Sequence, residues 1–137
     1  MRIGVDCHVL TGKFQGSRTY LEQLYREVLA LNEEHRFVFF GHWGEEQPFG
    51  PAMEYVRYPS RSRCRRLGYQ AARLARERNV DLFHSTYIAP LRLKAKSLVV
   101  IHDILFETHP QYFTRALALR NRVLVRRTVR RAAQIHT

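Results

Sequence analysis

The chain has 137 residues, 45% of them hydrophobic and 26% charged, with eight Phe, seven Tyr and one Trp. At roughly 100 to 200 residues per domain this is one globular domain with its own core, and the apolar and aromatic content excludes a disordered chain. Lys and Arg number 23 against 12 Asp and Glu, a formal charge of +11, which makes an anionic partner a candidate from the start.

Met1 to Asp6 meets an acidic residue too early to leave a signal-peptide apolar region of about 7 to 15 residues, so a cytoplasmic start is expected. Arg2 to Asp6 reads as a short buried strand that ends at a carboxylate. Cys7 stands just beyond it and Cys64 far along the chain, at a spacing that suits neither a zinc site nor a disulfide scaffold, so both are expected as reduced thiols. Thr11 to Gly16 has the glycines of a loop. Tyr20, Leu21, Leu24, Tyr25, Val28 and Leu31 then recur at helical spacing, with Thr19 and Glu22 as a candidate capping box.

Arg36 to Gly41 predicts a second strand, and Glu54 to Tyr58 a weaker third one, closed by Pro59. Ser60 to Asn79 opens on the basic stretch Arg61, Arg63, Arg65, Arg66 and is helical in its second half, where Leu67, Ala71, Leu74 and Ala75 share a face. Val80 to Ser85 predicts a strand. Ser97 to His102 predicts another, whose continuous core Leu98-Val99-Val100-Ile101 fits a strand covered on both faces. A last helix is expected from Thr114 to Ala133, with Leu117, Leu124, Val125, Thr128 and Ala132 on one side and most of its arginines on the other. Gln134 to Thr137 starts like a strand. No apolar run approaches the roughly 18 residues that cross a bilayer.

The alternation argues for an α/β domain with a Rossmann-like open parallel sheet flanked by helices. Ligands of such sheets sit outside the carboxyl ends of the strands. That rule singles out Asp6 to Gly16, His84 to Tyr87, and His102 with Asp103 as segments that should converge.

Gly16 lies just before a helix, where backbone N–H groups and the helix dipole favour an anion, although a turn also uses glycine for geometry alone. His102 emerges where a strand stops, so it is either a ligand contact or a structural histidine, and Asp103 beside it is placed to orient its ring. His84 has the weaker position of the two, and no metal-ligand spacing joins them. Arg120, Arg122, Arg126, Arg127, Arg130 and Arg131 have no acidic residue near them between Thr114 and Thr137, a field that would attract an anionic leaflet or nucleic acid. The motifs of sequence-specific nucleic-acid readers are absent from the sequence, so no specific nucleic acid is expected.

Several ordered segments together resemble the N-terminal half of glycosyltransferase family 4. They are Met1-Arg2-Ile3-Gly4-Val5-Asp6, Leu10 to Leu21 with Thr11-Gly12-Lys13-Phe14-Gln15-Gly16-Ser17-Arg18, Asp81-Leu82-Phe83-His84-Ser85, Val99-Val100-Ile101-His102-Asp103-Ile104, and Arg131-Ala132-Ala133-Gln134-Ile135-His136-Thr137. The resemblance implies a retaining glycosyltransferase of the B-type fold, with two Rossmann-like domains across a cleft and no required metal or other cofactor, the nucleotide-sugar being a substrate. Residues 1–137 would be the acceptor-side domain, and the domain that holds most of the nucleotide-sugar donor would follow it.

By the same resemblance, Gly16 with Ser17 and Arg18 belongs to the donor-diphosphate loop. His102, followed by Asp103, matches the strand-end histidine that contacts the transferring sugar, and His84, Ser85 and Tyr87 would form the acceptor wall. Cys7 and His8 stand where relatives often have Ala and Arg, and Ser17 stands where a small apolar residue or a second glycine is common. The implied reaction moves a sugar such as mannose to a glycan or lipid-linked acceptor; by their charge, the Arg-rich faces around Arg61 to Arg66 and Arg115 to Arg131 would hold the domain on an anionic inner-membrane surface, which suits a lipid-linked acceptor. The alternative is a non-catalytic basic α/β module that binds nucleic acid or another polyanion.

Overall fold

The computed structural model describes residues 1–11, 16–44 and 47–137. Its sheet has six strands, all parallel: β1 (Arg2–Asp6), β2 (Arg36–Gly41), β3 (Glu54–Arg57), β4 (Leu82–Thr86), β5 (Lys96–Val100) and β6 (Gln134–His136). They lie in the order β3-β2-β1-β4-β5-β6, which is the Rossmann order. The domain is therefore α/β with an open parallel sheet, and its switch point falls between β1 and β4.

Helix α1 (Gly16–Leu31) covers one face of the sheet, burying Leu21 and Tyr25 against Ile3, Val5, Phe37 and Phe39. The other face carries α2 (Arg63–Arg65), a π-helical turn (Arg66–Gln70) and α3 (Ala71–Glu77) on the β2–β3 side. Helix α5 (Arg115–Val129), which follows the short α4 (Leu105–Thr108), covers the β5 side of that face through Val125. Gly4 is required in β1 by packing, since a Cβ there would come within 2.9 Å of both the Phe40 and Phe83 rings.

Several boundaries differ from the sequence reading, each for a local reason. Helix α1 begins at Gly16, so Thr19 and Glu22 form no capping box; Glu22 instead accepts from Arg18 Nε at 2.9 Å, one turn away. The fourth strand starts at Leu82 rather than Val80 because the end of α3 claims the intervening residues. Asn79 is left-handed (φ 52°), its N–H donates to the Arg76 carbonyl, and Val80 N–H reaches back to the Ala75 carbonyl, a Schellman closure. The fifth strand ends at Val100, although Ile101 N–H still donates to the His136 carbonyl, so His102 and Asp103 sit in the connection beyond it. Helix α5 is capped by Thr114, whose Oγ1 accepts from Leu117 N–H at 3.3 Å, and it stops at Val129 rather than running to Ala133.

Residues 87–95 carry the chain from β4 to β5 without a helix. Ile88 and Ala89 are buried there against the α5 side, and Ala89 N–H donates to Thr128 Oγ1 at 3.2 Å. No helix among the described residues is long and apolar enough to cross a membrane.

Candidate functional site

A cleft of about 610 Å³ opens at the carboxyl ends of the strands, beside the switch point. That is the range of small-ligand sites, and its position is the one this sheet topology favours. Of the residues expected from sequence, the cleft brings together Ser17 from the start of α1, Tyr87 after β4 and Asp103 after β5.

Tyr87 is held in the left-handed region at φ 60°, a strained backbone for an aromatic residue. Its hydroxyl donates to Asp103 Oδ2 at 2.8 Å, and the other carboxylate oxygen accepts from Leu105 N–H at 3.1 Å. Burial, followed by the Asp103 hydrogen bond and charge, pushes the Tyr87 phenol well above its ordinary pKa, so it remains a donor.

Asp103 is thereby committed to Tyr87 and α4, and does not orient His102 as expected. Aromatic packing does that instead: the His102 ring meets Tyr20 edge-on at 4.8 Å and Tyr87 at 5.8 Å between centroids. His102 is exposed, and none of the hydrogen bonds among the described residues engages its ring.

Gly16 is exposed at the first position of α1, adjoining Ser17. A Cβ at Gly16 would meet nothing within 4 Å among the described residues, and its φ is not positive, so neither packing nor backbone geometry calls for glycine there. Gly12 lies outside the described residues. Arg18 is spent on Glu22 and does not line the cleft.

His84 and Ser85 lie inside β4 and do not reach the cleft wall that they were expected to form. His84 is 1% exposed, and its Nδ1 shares a 2.6 Å hydrogen bond with the Tyr25 hydroxyl in the layer beneath α1. Burial, joined by the like charges of His136 and His102, depresses its pKa to about 4, so the ring is neutral at physiological pH.

Apart from His8, which lies in the Asp6 to Gly16 segment, the sequence reading missed the rest of the cleft. His8, His42, Arg61, Arg63 and Arg66 make part of its lining basic, while Ile88, Phe106, Phe113 and Val125 make another part apolar. Arg66 is 5% exposed and pairs with Asp6, itself 1% exposed, at the end of β1. Tyr58 Oη donates to Asp6 Oδ1 at 3.2 Å, and His8 N–H donates to the same oxygen at 3.3 Å. Burial alone would raise the Asp6 pKa, but the charges of His8 and Arg66 hold the carboxyl well below the usual carboxylate range. A buried strand that ends in aspartate called for a buried cation, and that was the available signal. In sequence the basic stretch 61–66 reads as an exposed, charged face.

The α5 field is likewise less bare than its sequence implied. Glu107 of α4 pairs with Arg122 at 2.8 Å and Arg126 at 2.9 Å, and Arg127 Nη2 donates to the Leu91 carbonyl at 2.7 Å. Arg115 and Arg130 remain exposed on the face that also presents Leu119 and Val123, 61% and 56% exposed. Cys7 is buried and Cys64 exposed, both free thiols. Among the described residues no three His, Cys, Asp or Glu side chains converge as a metal-ligand group. In comparisons with known proteins, the chain matches no family model and no curated protein.

Proposed function

We propose that this domain is the acceptor-side half of a retaining glycosyltransferase, which transfers a sugar such as mannose from a nucleotide-sugar to a glycan or lipid-linked acceptor. One observation carries the reading: Ser17 and Asp103, from two of the segments that resemble family 4, share one cleft at the switch point of the sheet with Tyr87, which lies two residues beyond a third. Gly16 and His102 adjoin two of them in the chain.

In this reading His102 contacts the transferring sugar, since its side chain is exposed while Tyr20 and Tyr87 pack against its ring. Gly16 and Ser17 lie on the donor-diphosphate side, where an open approach to the first turn of α1 suits an anion. Tyr87 presents the acceptor wall, held by Asp103. Catalysis then rests on positioning the acceptor hydroxyl and on stabilising the departing diphosphate and the cationic sugar, and needs no metal or other cofactor. The donor is held mainly by a second Rossmann-like domain. The face of α5 with Leu119 and Val123 among Arg115, Arg126 and Arg130 suits peripheral contact with an anionic membrane on the cytoplasmic side.

The test is transfer from a panel of nucleotide-sugars by the full-length protein. His102→Ala is expected to reduce turnover by about a hundredfold or more, with an unchanged unfolding midpoint because the ring is exposed. Unchanged turnover removes the assignment of His102, and a coding sequence that stops at Thr137 removes the two-domain reading.

A further inference from the structure

We propose that the basic wall of the cleft binds a phosphate group carried by the acceptor, held by Arg61, Arg63 and His42 above the Asp6–Arg66 pair. Its place in transfer rests on the glycosyltransferase reading above, but the binding itself does not.

Arg61 and Arg63 are exposed side chains on the same cleft, and neither has an ion-pair partner among the described residues. Their surroundings add positive charge. The charges of Arg120 and Arg66 act on Arg63, while burial and then the charges of Arg61, Arg57 and Arg66 lower the proton affinity of His42. The nearest carboxylate, Asp6, is sealed beneath and paired with Arg66, while Asp103 across the cleft is occupied by Tyr87 and Leu105 N–H. The charges of Arg61 and Arg63 are left for a ligand to compensate, and the neutral His42 ring offers an N–H donor beside them.

The geometry favours phosphate over carboxylate. A carboxylate is satisfied by one bidentate guanidinium, whereas the several terminal oxygens of a phosphate use donors from more than one side chain. Ile88, Phe106, Phe113 and Val125 make an apolar part of the same lining, so the ligand also has a carbon body that packs there. A cleft of about 610 Å³ holds a sugar or cyclitol phosphate, or the headgroup of a phospholipid, rather than a length of polymer.

The experiment titrates the chain with α-glucose 1-phosphate, with glucose as the neutral control, by calorimetry and by amide and side-chain NMR shifts. The expected result is saturable binding of the ester and none of glucose, with shifts at Arg61, Arg63 and His42. Arg61→Gln with Arg63→Gln should weaken it about tenfold to a hundredfold, while Arg65→Gln, off the cleft, should not. Both changed arginines are exposed, and an unchanged unfolding midpoint shows that the fold is intact.

Phosphatidylglycerol vesicles distinguish the source of the phosphate. Displacement of bound α-glucose 1-phosphate by them identifies a lipid headgroup, and its persistence identifies a soluble ester. Absence of saturable binding, equal binding of glucose, or indifference to the double change overturns the proposal. So does duplex DNA bound tightly and with steep salt dependence through Arg61 and Arg63 while the ester does not bind, which would make the wall a polyanion groove. Ester binding by a full-length protein that transfers no sugar keeps this inference and removes the transferase reading.

Discussion

Replacing Asp6 by Ala tests the floor of the cleft. Arg66 is 5% exposed, so the variant leaves its guanidinium sealed beneath the cleft without a counter-charge. Breaking a buried pair from one side costs about 3–5 kcal/mol, and here the Tyr58 hydroxyl loses its acceptor as well. For a domain of this size that is a fall in Tm of roughly 10–20 °C. Asp6→Asn keeps an acceptor for Tyr58 and His8 N–H and should fall at the lower end of that cost. Asp6→Asn with Arg66→Met removes both charges and should recover about 2 kcal/mol or more relative to the sum of the single changes.

The assay is urea unfolding at pH 7, followed along its acid limb. The folded pKa of Asp6 is depressed, so its contribution is complete above the unfolded value of about 3.9 and is lost as pH falls from there toward the folded value. Asp6→Asn should flatten that limb. A cost below about 1 kcal/mol for Asp6→Ala, or strict additivity in the double variant, would refute the claim that the two charges depend on each other.

His84, with its pKa depressed to about 4, takes up a proton more readily unfolded than folded, so stability should fall as pH drops from about 6.5 to 4, by on the order of 3 kcal/mol. The pH dependence of unfolding in His84→Gln should lose that slope; an identical slope would mean that the ring is not buried as a neutral group. Gly16→Ala is expected to leave stability unchanged or raise it by up to about 1 kcal/mol while impairing donor use, which separates a ligand's need for space from the chain's own. Undiminished transfer by that variant would show that nothing approaches Gly16. Tyr87→Phe should lose about 1 kcal/mol with the Asp103 hydrogen bond and weaken acceptor binding, read as a rise in KM for acceptor alone. Thr114→Ala should cost about 1 kcal/mol by uncapping α5, measurable as a shift in urea midpoint with unchanged m.

The parallel sheet was legible because its strands are short and almost wholly apolar, Phe37 to Phe40 and Leu98 to Ile101 above all, and because helical periodicity separates them. The switch-point rule singled out the segments that contain Tyr87 and Asp103, and both side chains line one cleft, together with Ser17, which only the resemblance had named. Within β4 the rule could not tell strand from strand end: His84 and Ser85 lie two and one residues before the last strand residue, Thr86, and are buried, while Tyr87 emerges. Arg66 was hidden for a different reason. A run of arginines reads as a solvated face, and nothing local shows that one of them turns inward from the start of a π-helical turn to meet a residue 60 positions earlier. The same blindness to distant partners left Glu107 out of account when the α5 arginines were read as uncompensated.

The pairing of Asp6 with Arg66 also explains how so basic a wall is compatible with folding. Arg66 brings charge to the base of the cleft, and a carboxylate at the end of β1 neutralises it there, where water cannot. Arg61 and Arg63 stay in solvent, which lowers the cost of leaving them without partners. A gradient follows from this, from a compensated, rigid floor to an uncompensated, hydrated rim. Such a rim attracts an anion from solution, and the floor holds the side chains beneath it in place without drawing the anion into the core. The apolar wall from Ile88 and α5 then discriminates among anions by what else they carry. Selectivity for an acceptor would therefore reside in Phe106, Phe113 and Val125, and affinity in Arg61 and Arg63. Phe113→Ala, only partly buried, should widen the range of phosphate esters bound while changing the affinity for small ones less than threefold. A loss of all ester binding on that change would place the anion on the apolar side and overturn this division of labour.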